Sequence, residues 1–107
     1  MANYFGCNSW AVAKVKDDGT ALGQTGFQSV SRYGTGEYTL TLMSTMGIDE
    51  CLVMVTPWYP SGGSPVAVVP SATLDPDGAT VRVALRNLAG NPVDNDFCVR
   101  VDRLTPA

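Results

Sequence analysis

Apolar and polar residues alternate along most of this chain with a period of two. Across residues 37–43, Tyr38, Leu40 and Leu42 fall on one side and Thr39 and Thr41 on the other. Across 80–86, Val81, Val83 and Leu85 alternate with Arg82, Ala84 and Arg86. Across 97–103, Phe97, Val99 and Val101 alternate with Cys98, Arg100 and Asp102. Successive side chains of a strand point to opposite faces, so these segments read as strands with one buried face. Residues 10–16, 27–33, 50–56 and 66–74 complete a set of about seven strands. Residues 20–25 form either a return arm or a loop.

Turn chemistry separates the strands. Asp17-Asp18-Gly19 carries an Asp-Gly hairpin signal, and Gly34-Thr35-Gly36, Asp75-Pro76-Asp77-Gly78 and Gly90-Asn91-Pro92 mark further reversals. Gly34 and Gly36 would allow positive φ in their turn. Pro70 cannot donate to a ladder, which places its segment at an edge or a bulge. Nothing repeats with the period of a helix. The expectation is an all-β, jelly-roll-like antiparallel β-sandwich forming a single domain over residues 1–107.

One stretch breaks the alternation. Cys51-Leu52-Val53-Met54-Val55 is apolar on both faces. A two-layer domain has one core, so only Cys51, Val53 and Val55 or only Leu52 and Met54 can line it. The other face needs a cover, and a neighbouring copy of the same chain is the expected one. Leu52 and Met54, with Trp10 on the first strand, are therefore the candidate subunit-interface residues. The loop after this strand, Trp58-Tyr59-Pro60-Ser61-Gly62-Gly63, carries two large aromatics in a Pro- and Gly-rich setting. Trp58 and Tyr59 are candidate receptor contacts, for stacking on a sugar or packing on a protein. The plainer reading folds them over the end of the sandwich.

Composition narrows the chemistry. The chain has no histidine, which removes Ser-His-Asp triads, Cys-His dyads and histidine metal sites together. The carboxylate pairs Asp17/Asp18, Asp49/Glu50, Asp75/Asp77 and Asp94/Asp96 all lie in turns, where Asp caps backbone N–H groups. No catalytic residue, metal site or cofactor is expected. The net charge of −3 and the scattered Lys and Arg argue against nucleic acid and anionic membranes. No apolar run approaches the ~20 residues of a membrane helix, so no membrane insertion is expected. The start lacks the basic and apolar regions of a signal peptide. Cys7, Cys51 and Cys98 are odd in number, which excludes a complete disulfide set within one chain. They read as small hydrophobes, with a Cys51–Cys98 bridge left open.

The segment 26–42, Gly-Phe-Gln-Ser-Val-Ser-Arg-Tyr-Gly-Thr-Gly-Glu-Tyr-Thr-Leu-Thr-Leu, resembles the V-x-R-x-G-T-G-x-Y-T-V-T segment of small C-terminal knob domains. Those domains occur on bacteriophage tail fibres and related collagen-like surface proteins. Residues 90–101 resemble the family's G-x-x-x-D-x-x-F-x-V-x-V close, and 51–56 and 79–83 fit between. The resemblance covers roughly residues 10–104. It implies a non-enzymatic, homotrimeric β-sandwich that ends a fibre and contacts a glycan or protein on the host surface, located on a virion or extracellular surface. The alternative is a monomeric carbohydrate-binding or immunoglobulin-like module with its ligand at Trp58 and Tyr59.

Overall fold

The computed structural model describes residues 4–58 and 68–106. Eight strands appear: β1 (Tyr4–Val15), β2 (Ala21–Thr25), β3 (Phe27–Gly34), β4 (Glu37–Leu42), β5 (Cys51–Pro57), β6 (Val69–Leu74), β7 (Thr80–Arg86) and β8 (Phe97–Pro106). A 3₁₀ turn at Ile48–Glu50 precedes β5. Two antiparallel four-stranded sheets, ordered β2-β1-β8-β5 and β3-β4-β7-β6, pack face to face as a sandwich.

The alternation explains the packing. Ala11, Ala13 and Val15 of β1 and Phe97, Val99 and Val101 of β8 line the first sheet's inner face. Tyr38, Leu40 and Leu42 of β4 and Val81, Val83 and Leu85 of β7 line the second. Each large apolar side chain so buried contributes roughly 1.5–3 kcal/mol, which makes these four central strands the stable body of the fold. Tyr38 and Phe97 meet edge to face across the layers, their ring centroids 4.8 Å apart.

Three sequence expectations change. There are eight strands, because 21–25 does return along β1. β1 starts at Tyr4, since its early part pairs with the last residues of β8, a long-range partner that local pattern does not reveal. Gly34 has no positive φ; the reversal is made by Gly36 at φ 68°. The Pro70 expectation holds, because β6 ends its sheet.

Glycine is required at two of the chain's reversals. Gly26, at φ 85°, is the single residue between β2 and β3, and a Cβ there would lie 2.4 Å from the Trp10 carbonyl. At Gly36 a Cβ would lie 2.5 Å from the Leu85 carbonyl and 2.9 Å from Val93 backbone atoms. Backbone cannot step aside as a flexible side chain can. Gly36→Val is therefore expected to cost about 3 kcal/mol through combined strain and clash. Denaturant unfolding measures it, and a parental midpoint would show an ordinary conformation at Gly36.

Candidate functional site

Among the described residues, no element packs over the outer face of the first sheet. Three strands build it in cross-strand rows. Val12, Arg100 and Met54 stand side by side on β1, β8 and β5; Ser9, Asp102 and Leu52 form the row below, and Lys14, Cys98 and Thr56 the row above. Val12 is 43% exposed, Leu52 42% and Met54 48%. Their inward neighbours on β5, Cys51, Val53 and Val55, pack against the core. The two-sided apolarity of β5 therefore has one face on the core and one in the open.

Polar groups frame this face. Arg100 Nε donates to Asp102 Oδ1 at 2.8 Å. Asp102, expected to face out, does so by register yet is only 2% exposed, with Arg100 beside it. A carboxylate this deep requires such a partner.

Trp58 stands just past β5. Its N–H donates to the Asp96 carbonyl at 3.0 Å, and its own carbonyl accepts from Asn95 Nδ2 at 3.2 Å. The Lys14 ammonium lies 4.1 Å from the ring centroid, so a cation–π contact occupies one side of the indole. The indole N–H is buried without an acceptor. Trp58 is thus anchored and half-buried, between the two expectations for it. Tyr59 lies outside the described residues.

Trp10 takes a different place from Leu52 and Met54. It falls where the β1–β8 register shifts between Ser9 and Ala11, and it packs against the core. Its indole N–H donates to the Ser44 carbonyl at 3.3 Å, and Arg103, paired to Glu50 at 3.0 Å, lies over its ring. Val12 is the outer-face residue of β1. Strict alternation between the inward Ala11 and Ala13 was its signal.

The Arg-x-Gly-Thr-Gly-x-Tyr motif proves to be a clasp. Arg32 Nε and Nη2 donate to the two oxygens of Asp94 at 3.0 and 2.9 Å. Gly36 N–H donates to Asp94 Oδ1 at 2.8 Å. The fully buried Tyr38 sends its hydroxyl to the Asp17 carbonyl at 2.7 Å and lies 3.3 Å from Asp94 Oδ1. Burial opposes ionisation of Asp94, but the bonds from Arg32, Gly36 and Tyr38 and the Arg32 charge outweigh it and hold the carboxyl below its usual range. Burial and the Asp94 charge push the Tyr38 hydroxyl up. A hollow of about 270 Å³ beside the clasp is lined by Asp17, Asp18, Arg32 and Asp94.

Three other carboxylates accept from turn backbone, and Asp75 pairs with an arginine. Asp77 accepts from Ala79 N–H, Thr80 N–H and the Thr80 hydroxyl, and Asp18 accepts from Thr20 N–H. Asp96 accepts from Asp17 N–H at 2.8 Å, and Asp75 takes Arg82 at 2.9 Å. Among the described residues, no His, Cys, Asp and Glu side chains cluster as metal ligands. No helix among them is long and apolar enough to cross a membrane. Cys51 and Cys98 are free thiols. Cys51 pairs in register with Arg103 and Cys98 with Thr56, so they stand far apart along the ladder on opposite faces and form no bridge. Burial raises the Cys51 thiol.

The clasp makes stability depend on acid. Asp94 has a lowered value in the fold and about 3.9 unfolded, so its contribution is complete above that range and vanishes as pH falls through the folded value. At neutral pH, Asp94→Asn is expected to cost about 1–2 kcal/mol, allowing for partial exposure of the pair. The gap from the parent should close below about pH 4. Unfolding curves across pH 2–8 test this, and a gap independent of pH would exclude an ionised Asp94 as the organiser.

No family model, curated protein or solved structure matches this chain, so its residues and their geometry carry the functional reading.

Proposed function

We propose that this chain is a non-enzymatic, self-assembling β-sandwich module at the tip of a phage or surface fibre, contacting a glycan or protein on the host surface. The single observation that carries this reading is the outer face of the first sheet. Val12, Leu52 and Met54 come from strands whose other faces are already on the core, and they remain open to water. Exposed apolar area shared by several strands marks a contact surface. The resemblance of residues 26–42 and 90–101 to fibre knob domains supports the fibre setting and implies a homotrimer. The turn-bound carboxylates support a binding role over a catalytic one. Trp58, with Tyr59 after it, is the proposed receptor contact: an anchored indole beside a cation suits an oxygen-rich ligand.

Gel filtration with light scattering tests assembly. The parent should run as a multiple of 11.3 kDa. Met54→Asp should run as one chain with a near-parental melting temperature, because Met54 is half-exposed within the single chain. A monomeric parent would overturn assembly and favour the monomeric carbohydrate-binding reading. For the receptor contact, Trp58→Ala should lose binding to a glycan array that the parent retains. Lost stability with unchanged array binding would move the contact elsewhere.

A further inference from the structure

We propose that β5 is an assembly edge, and that its occupant is the β5 strand of a second copy, added antiparallel about a two-fold axis. The inference rests on the self-assembly reading and names the strand that makes the contact.

The four edge strands are not alike. β2 has five residues including Gly23, and its register with β1 shifts between Lys14 and Val15. β3 contains Arg32 and has two register shifts. β6 carries Pro70. Short length, bulges, charge and proline are the devices that stop an edge from recruiting another strand. β5 has none before its last residue. Cys51–Pro57 pairs with β8 over seven residues with no register shift, carries no charge, and reaches proline only at Pro57. Among the described residues, no strand lies on its other side.

The backbone phase can be worked out. Trp58 N–H donates to the Asp96 carbonyl, so position 58 turns its backbone toward β8. Bonded and non-bonded pairs alternate along an antiparallel ladder. Thr56, Met54 and Leu52 therefore also bond β8, while Val55, Val53 and Cys51 direct their backbone groups to the free side. Cys51 N–H is already spent on the Ile48 carbonyl, which leaves its C=O. By the same phase, Asp75 N–H bonding Thr80 places Pro70 on the free side of β6, where a missing N–H blocks pairing.

These groups are self-complementary. Centred on Val53, a two-fold axis lets Val53 N–H and C=O exchange bonds with those of Val53 of the partner subunit. Val55 N–H then meets the C=O of Cys51 of the partner subunit, and the reverse. On the outer face Leu52 falls opposite Met54 of the partner subunit, giving each exposed side chain an apolar neighbour. No charged residue occurs on β5, so the pairing sets no like charges opposite each other. A hollow of about 280 Å³ between β5 and β6, lined by Ile48, Cys51, Val53, Ala72, Thr73 and Leu74, would be capped by the added strand. An isologous contact of this kind closes at two copies, so the inference keeps the self-assembly of the proposed function and replaces the trimer that the knob-domain resemblance implies with a dimer.

Amide hydrogen exchange combined with light scattering tests it. The parent should have twice the mass of 11.3 kDa, with Val53 and Val55 amides protected and losing protection on dilution. The double variant Leu52→Lys and Met54→Lys sets lysines opposite lysines and should give the single-chain mass. Leu88→Lys, at a 79% exposed position outside the sheets, should keep the doubled mass. A monomeric parent would overturn this inference and the assembly reading together. An oligomeric parent whose Val53 and Val55 amides exchange equally fast when assembled and when diluted would overturn the edge alone. A trimer unaffected by the double variant would do the same, leaving assembly in place. Because the parent's amides report independently, the test survives a variant that fails to fold.

Discussion

One carboxylate joins the connection before β8 to the β3–β4 hairpin and, through that hairpin, to the β1–β2 turn. Asp94 lies in the connection before β8, yet it receives Arg32 from β3 and the Gly36 N–H from the β3–β4 turn, and lies beside the Tyr38 hydroxyl from β4. Tyr38 carries the link onward to the Asp17 carbonyl in the β1–β2 turn. A sandwich's two layers are held by non-directional apolar contact, which sets distance more than register. The clasp adds direction at one end, where an unpaired buried hydroxyl or amide would be costly. The Arg-x-Gly-Thr-Gly-x-Tyr segment is thus explained as a joint: Arg32 and Tyr38 engage the carboxylate, and Gly36 lets the backbone approach it.

With the inner faces committed, the outer face of the first sheet acquires its character. Val12, Met54 and Leu52 gain nothing from the core and are not screened by the charges among them, because Arg100 is engaged with Asp102. The second sheet mixes polar and apolar groups outside: Ser31 and Thr39 bond each other and Arg82 pairs with Asp75, while Tyr33 of β3 and Val69 of β6 are exposed. The uncharged, unbroken β5 edge borders the outer face of the first sheet.

Trp10 and Trp58 show how similar residues part company. Trp10 sits at a bulge in β1, and the extra residue turns its ring toward the rim between the layers, where Ser44 accepts its N–H. Trp58 follows a strand with no bulge and continues its outward parity, which brings it beside Lys14, one row across β8. By parity alone Trp10 would share the outer face of Leu52 and Met54, and the register shift between Ser9 and Ala11 places it differently in the sheet.

By itself, the sequence determined the strands with clean alternation, the turns at Asp-Gly and Gly-Thr-Gly, an edge or a bulge at Pro70 and the two-sided nature of β5. These depend on the local geometry of a strand, in which neighbouring side chains must face opposite ways. It also limited the chemistry, through the absence of histidine and the placing of carboxylates in turns. The tertiary structure alone decided which carboxylate Arg32 would find, that Asp102 would be buried on an outward position, that Lys14 would cover Trp58, and that β5 rather than a central strand would carry the free edge. Those outcomes depend on strand order and register between segments far apart in the chain. A period-two pattern is blind to such order, because it fixes which face a residue takes and not which strand lies beside it.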